Sequence, residues 1–304
     1  MPRICSLISS ATEIVHALGQ FANLVGRSHE CDFPPEVQQL PVCTRPTIDI
    51  HADSREIDRL VKDRVRNALS VYDVFDDVLE RLQPTLILTQ TQCEVCAVSL
   101  RDVERSIASR LASQPKIVSL NPNSLADIWD DIRMVARSLE IIERGEDLIA
   151  TLQRRMCAIS EKARSSGNAP GVACIEWLEP LMVAGNWTPE LIEMAAGVNL
   201  FGEPGRHKPW IEWDQLVERD PAVIVISPCG FDVPRTQQEM HWLTEQSGWS
   251  ELRAVRSGHI YLADGNQYFN RPGPRVVETL EILAEMLHPE QFAPELEGVG
   301  WKRF

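Results

Sequence analysis

No stretch of this chain approaches the roughly 18 consecutive apolar residues of a membrane-spanning helix, so membrane insertion is not expected. Basic residues are in the minority: 30 Lys and Arg stand against 44 Asp and Glu, a formal charge of −14. No basic cluster offsets that balance. A surface of that sign repels phosphate backbones and excludes nucleic acid as a partner. A P-loop, a G-x-G-x-x-G fingerprint and a hydrolytic triad are all missing, which removes nucleotide chemistry and the common covalent hydrolases. The eight cysteines are scattered rather than framed for disulfides, which suits a reducing compartment. The start carries no secretory signal, since Arg3 is followed at once by a short strand pattern and a helix. These two readings give a cytoplasmic protein as the expectation.

What is present is an α/β pattern that occurs twice. Leu79 to Val98, LERLQPTLILTQTQCEVCAV, reads as a helix end, a proline, a buried strand and a loop with two cysteines. Leu216 to Phe231, LVERDPAVIVISPCGF, repeats it, with Pro221 opposite Pro84 and Cys229 in the following loop. Short, uniformly apolar runs of this kind are strands buried on both faces. The spacing predicts a lobe over residues 1–123, connecting helices over 124–167 and a second lobe over 168–304. Leu148, Leu152, Met156 and Ile159 mark one face of a helix over Glu143 to Ser165, a rigid strut of roughly 35 Å. Tyr72 to Leu82 reads as a short helix, and His259 to Ala263 as the last strand.

Candidate site residues fall at predicted strand ends, where α/β sheets bind ligands. Eight tryptophans against three tyrosines is a skewed choice, and Trp177, Trp187, Trp210 and Trp213 crowd the second lobe. With Glu179, Asn186, Phe231 and Tyr268 they form a candidate wall for a planar ligand, although each could equally fill a core. Ser9 and Ser10 open the first helix, as caps or as a small anion site. Arg45, in an extended segment, and Arg271, before the last helix, complete the set. Cys93 and Cys96 have the spacing to hold a metal ion or to act as a redox pair. His29 and Cys31 end a neighbouring strand and could join them in binding zinc or another soft metal; the bland alternative is that the cysteines pack a turn. Cys5, Cys157 and Cys174 read as packing residues, and His16 and His288 as surface or capping groups.

The opening ICSLISSATEIVHALG and LVGRSHECDFPPEV, then LERLQPTLILTQ, WLEPLMVAGNW, LVERDPAVIVISPCGF and RPGPRVVETLEILAEMLHP occur in an order that resembles one family. It is the cobalamin and siderophore class of substrate-binding proteins, and its cobalamin-binding branch above all. The resemblance implies two α/β lobes joined by one long rigid helix, with a ligand cleft between them. It also implies a non-catalytic protein holding a small molecule, a cobalamin-like corrinoid or another metal chelate. Transport members dock on an ABC permease through an exposed glutamate on each lobe. Here Leu100, Arg101 and Asn270 stand near those places, so permease docking is doubtful. The alternative is a soft-metal or thiol-redox protein built on the C-x-x-C loop with His29 and Cys31.

Overall fold

A computed structural model of the chain describes residues 1–67, 70–91, 113–207 and 210–304. Two compact units emerge, each with its own sheet and core. The first comprises Met1–Ala52, Glu56–Pro122 and Ala126–Ala150; the second comprises Asp53–Arg55, Asn123–Leu125 and Thr151–Phe304.

The first unit is built on a four-stranded sheet in the order β2-β1-β5-β6. These strands are β1 (Ile4–Ser6), β2 (Leu24–Arg27), β5 (Leu86–Gln90) and β6 (Lys116–Leu120). All three pairings are parallel. Burial on both faces explains the uniform apolar runs: Ile4, Cys5, Ile87 and Leu88 expose nothing to solvent. Helix α1 (Ser9–Ala17) follows β1, α2 spans Ser54–Arg66 and α3 spans Asp76–Leu82. Residues Tyr72–Val74 form strand β4, not the first turn of a helix as the sequence suggested, and pair antiparallel with β3 (Thr44–Pro46). An aromatic and a β-branched residue at alternate positions suit a strand better than a helix. Helix α4 (Leu125–Ser138) buries Ile128, Ile132 and Val135 completely, the spacing of a single helical face.

Helix α5 (Ile142–Arg164) begins in the first unit and ends in the second. Gly145 lets it approach α4, because a β-carbon there would lie 2.6 Å from the β-carbon of Ala136.

The second unit has a sheet in the order β12-β11-β10-β7-β8, with β9 also on β7. Its strands are β7 (Gly171–Trp177), β8 (Met182–Val183), β9 (Val198–Asn199), β10 (Val223–Ile226), β11 (Ile260–Ala263) and β12 (Trp301–Arg303). The neighbours β7, β10 and β11 are parallel. Ile224, Ile226, Ile175 and Leu262 centre a core against helices α7 (Trp213–Arg219) and α8 (Val233–Glu239); helices α6 (Thr188–Met194) and α9 (Val276–Leu287) belong to the same unit. β12 was not legible in WKRF, where two charges mask a strand. Trp301 anchors it, donating its indole N–H to the Glu285 carboxylate at 2.6 Å.

The repeat seen in the sequence has a backbone counterpart. Gln83 and Asp220, each just before the matched proline, end α3 and α7 in the left-handed conformation at φ 42° and 41°. Each donates its backbone N–H to the leucine of its own helix, Leu79 and Leu216.

Candidate functional site

Parallel strands place their carboxyl ends along one edge, so β7, β10 and β11 present Trp177, the Ser227–Phe231 loop and the Asp264–Arg271 loop side by side. The loops interlock through the backbone. Gly265 and Asn266 donate to the Phe231 carbonyl at 2.9 and 3.1 Å, and Cys229 donates to that of Glu176 at 3.2 Å. Gly265 is required here, since any β-carbon would collide with the Pro228 carbonyl. Asp264 caps the single π-turn of Gly265–Phe269, accepting from the Asn266 and Gln267 N–H groups at 2.9 and 2.6 Å. Burial pushes its carboxyl up, against the pull of those two hydrogen bonds.

The aromatic groups on this edge are Trp177, Phe231 and Tyr268. Trp177 is half-buried; its ring lies 5.3 Å from that of Phe231, tilted by 53°. Its indole N–H donates to the Glu179 carbonyl at 3.1 Å. Arg235 lies over Phe231 at 4.9 Å and Arg275 over Tyr268 at 5.2 Å, so cations cover ring faces. The Glu179 carboxylate pairs with Arg55 at 3.3 Å, a residue that packs as part of this unit. Arg271 turns inward, almost fully buried, and donates to the Asn266 side chain at 3.3 Å.

Three of the expected wall residues sit differently. Trp187, at the start of α6, is 4% exposed and its indole N–H has no partner. It packs as a core residue beside Asn186, whose side-chain oxygen is equally unpartnered. Trp210 is 43% exposed and joins the backbone of Met182 through an isolated bridge. Trp213 packs against the core of this unit, its indole N–H donating to the Ser247 carbonyl at 2.8 Å; of the expected aromatic set, Trp177, Phe231 and Tyr268 stand on this edge.

In the first unit the carboxyl edge holds Ser9, Ser10, His29 and Cys31. The serines do not cap α1 with their side chains: the N-cap is Ile8, and no side-chain cap bond forms. Ser10 is buried with its hydroxyl unpartnered. Thr44 fixes His29, its hydroxyl accepting from the His29 backbone N–H at 3.1 Å and lying 2.8 Å from Nδ1. Burial first, then the charge of Arg27, pushes the imidazole down to about 4. The ring is neutral at pH 7, so its 3.8 Å contact with Glu30 is not an ion pair there. Cys31 is buried, with its thiol 3.1 Å from the Thr12 hydroxyl. His29 and Cys31 thus have different hydroxyl neighbours, Thr44 and Thr12. Among the described residues no three His, Cys, Asp or Glu side chains are grouped to hold a metal ion. Cys93 and Cys96 lie outside the described residues. Arg45 is exposed and paired with Asp73 at 2.9 Å.

One further reading is corrected: Cys157 is exposed on α5, not a packing residue. Of the two roles expected for His288 the capping one holds: it is the buried C-cap of α9, with Nε2 2.8 Å from the carbonyl of Ala195, the C-cap of α6. The sequence reading passed over Asp264 and Thr44. The Asp-Gly pair at 264–265 is a turn signal that could have drawn attention to the first; Thr44 is placed only by strand pairing.

The sequence profile of the family described as periplasmic binding protein matches residues 4–266. An uncharacterized ABC transporter substrate-binding lipoprotein of Bacillus subtilis is 20% identical over 293 residues, covering 95% of this chain and 81% of that one. A vitamin B12-binding protein of Vibrio cholerae is 22% identical, covering 94% and 88%. Among solved structures, a periplasmic heme-binding protein of Pseudomonas aeruginosa superposes with a TM-score of 0.71 at 20% identity, over 96% of this chain and 94% of that one. The periplasmic vitamin B12-binding protein of Vibrio cholerae gives 0.63 at 21% identity, over 95% and 98%. At such identities the likeness establishes the fold. The cytoplasmic expectation is overturned: the proteins this chain resembles are periplasmic or are lipoproteins. Scattered cysteines and the first residues were too weak a basis for it. No described helix is long and apolar enough to cross a membrane.

Proposed function

The chain belongs to the periplasmic binding protein family, and we propose that its solute is a flat, metal-centred macrocycle of the corrinoid, cobalamin-like type. The family consists of substrate-binding proteins, not enzymes, so the chemistry to explain is recognition. The observation that carries the reading is the Trp177–Phe231 pair at the carboxyl edge of the second sheet. The half-buried Trp177 ring offers an apolar face to a ring system, and Phe231, buried beneath Arg235, packs against it, while backbone bonds among the loops hold the pair in place. The vitamin B12-binding relatives agree with a corrinoid.

A second reading, heme, is favoured by one feature of the same edge. Arg275 lies over Tyr268, and a guanidinium pairs with the carboxylates that a heme carries and a corrinoid amide lacks; Arg235, over Phe231, is already paired with Glu239 at 2.9 Å. A soft-metal or thiol-redox role would have to rest on Cys93 and Cys96.

Titrating the protein with cyanocobalamin and, separately, with hemin while following tryptophan emission tests the reading. The expected result is saturable quenching by cyanocobalamin at one equivalent, reduced at least tenfold in affinity by Trp177→Ala. Tighter binding of hemin would replace the corrinoid with heme, and no saturable response to either would refute both.

A further inference from the structure

The sulfurs of Cys5, on β1, and Cys43, immediately before β3, lie 3.5 Å apart. Neither residue exposes any surface. The room for them comes from Gly26, the partner of Cys5 in the β1–β2 register. A β-carbon on Gly26 would stand 2.7 Å from the Cys43 sulfur and 3.2 Å from that of Cys5. The two thiols fill the hollow that a side chain on β2 would occupy.

The backbone holds Cys43 in this place from both sides. Its N–H donates to the Arg27 carbonyl at 2.8 Å, and its carbonyl accepts from the Phe75 N–H at 2.8 Å. Among the described residues no third metal-ligating side chain joins the pair. The shared hydrogen bond lowers the pKa of Cys43 and, with burial, raises that of Cys5. As the Cys43 segment approaches β2, that bond favours the thiolate on Cys43 and keeps the proton on Cys5.

We propose that Cys5 and Cys43 are a disulfide-forming pair, closed by exchange with a low-molecular-weight disulfide while the chain folds. The Cys43 thiolate attacks one sulfur of the small disulfide, forming a mixed disulfide and expelling one thiolate. That thiolate takes the proton of Cys5. The Cys5 sulfur then attacks the Cys43 sulfur and expels the second small thiolate, which is protonated by solvent. Two electrons pass from the protein to the small disulfide, and two small thiols leave. The bond requires a sulfur separation of about 2.05 Å, so the sulfurs must close by about 1.5 Å, a side-chain movement into the hollow over Gly26. With the segment around Cys43 docked on β2 neither sulfur is accessible, which places the exchange before docking is complete. Nothing in the sequence signals this pairing, because 38 positions separate the two residues.

The experiment refolds the reduced, full-length chain from denaturant with oxidised glutathione. Remaining thiols are then blocked with N-ethylmaleimide in denaturant, and the peptides are mapped by mass spectrometry. The expected result is a Cys5 peptide joined to a Cys43 peptide, two hydrogens lighter than their sum. The oxidised protein should also melt at a higher temperature than the reduced one, and Cys43→Ser should abolish the difference. Maleimide on both residues, glutathione retained on Cys43, or either residue joined to a different cysteine would overturn the proposal. The mapping uses the unaltered chain, so a poorly folding variant cannot obscure it.

Discussion

The side-chain amide of Asn270 donates to the Ser227 carbonyl at 2.9 Å, and again to that of Gly265 at 3.2 Å. One residue thereby fastens the loop after β11 to the loop after β10, and Trp177 stands beside them at the end of β7. The candidate edge is thus a bonded assembly of loops rather than three independent ones, and changes in one loop should be felt in the others.

Gly265→Ala tests that directly. The added methyl meets the Pro228 carbonyl, a backbone atom that cannot swing aside. Overpacking of this kind costs roughly 1–3 kcal/mol. The urea midpoint should fall, and cyanocobalamin quenching should weaken because the Phe231 loop is displaced. An unchanged midpoint would mean that the loops are not held as described.

Trp177 and Trp187 should separate binding from stability. Trp177→Ala removes a half-buried ring at the sheet edge, so affinity should drop by roughly 1–3 kcal/mol with a smaller loss of stability. Trp187→Ala empties a core position and should cost about 3–5 kcal/mol of stability. Trp187→Phe should cost much less, because it also removes an unpartnered buried N–H. Urea denaturation beside ligand titration reads both quantities.

Asp131 should give the stability a pH slope. Burial, reinforced by Asp127 and Asp130 and opposed by the Asn121 N–H, raises its carboxyl from 3.8 to about 7. The folded chain therefore holds this proton more tightly than the unfolded chain. Its contribution is fully present below pH 4 and is lost as pH rises towards 7, on the order of a few kcal/mol. Asp131→Asn should flatten that part of the curve and be the more stable protein at pH 8, measured by urea midpoints across the range.

His29 should behave oppositely. Its proton affinity is lowered from 6.5 to about 4, so stability is lost as pH falls through that window. Its imidazole proton resonances should not titrate between pH 8 and 5. A midpoint near 6.5 would place the ring in solvent.

Strands buried on both faces were the most legible part of the sequence, because Leu86–Leu88 and Val223–Ile226 have no alternative use for an unbroken apolar run. The helical face of α4 was equally plain. Tyr72–Val74 misled because a strand of three residues has too little periodicity to reveal itself and depends on its partner at Thr44–Pro46. At the site, the positions of Trp177 and Phe231 followed from strand ends alone. The burial of Trp187 and the inward turn of Arg271 did not, since side-chain direction at a helix start or in a tight loop is set by packing from distant residues. His29 and Cys31 look like one pair of donors in the sequence; in the fold each has a hydroxyl neighbour, Thr44 for His29 and Thr12 for Cys31, which no spacing in the sequence reveals.

Strand β12 has a practical consequence for handling the protein. Trp301–Arg303 covers the free edge of β11, and its indole is bound to Glu285. Trimming the last few residues would uncover a row of backbone N–H and C=O groups beside Tyr261 and Leu262. Such an edge recruits strands from other molecules. Shortened versions of this chain should precipitate during preparation, and a purification handle is better fused at the other end.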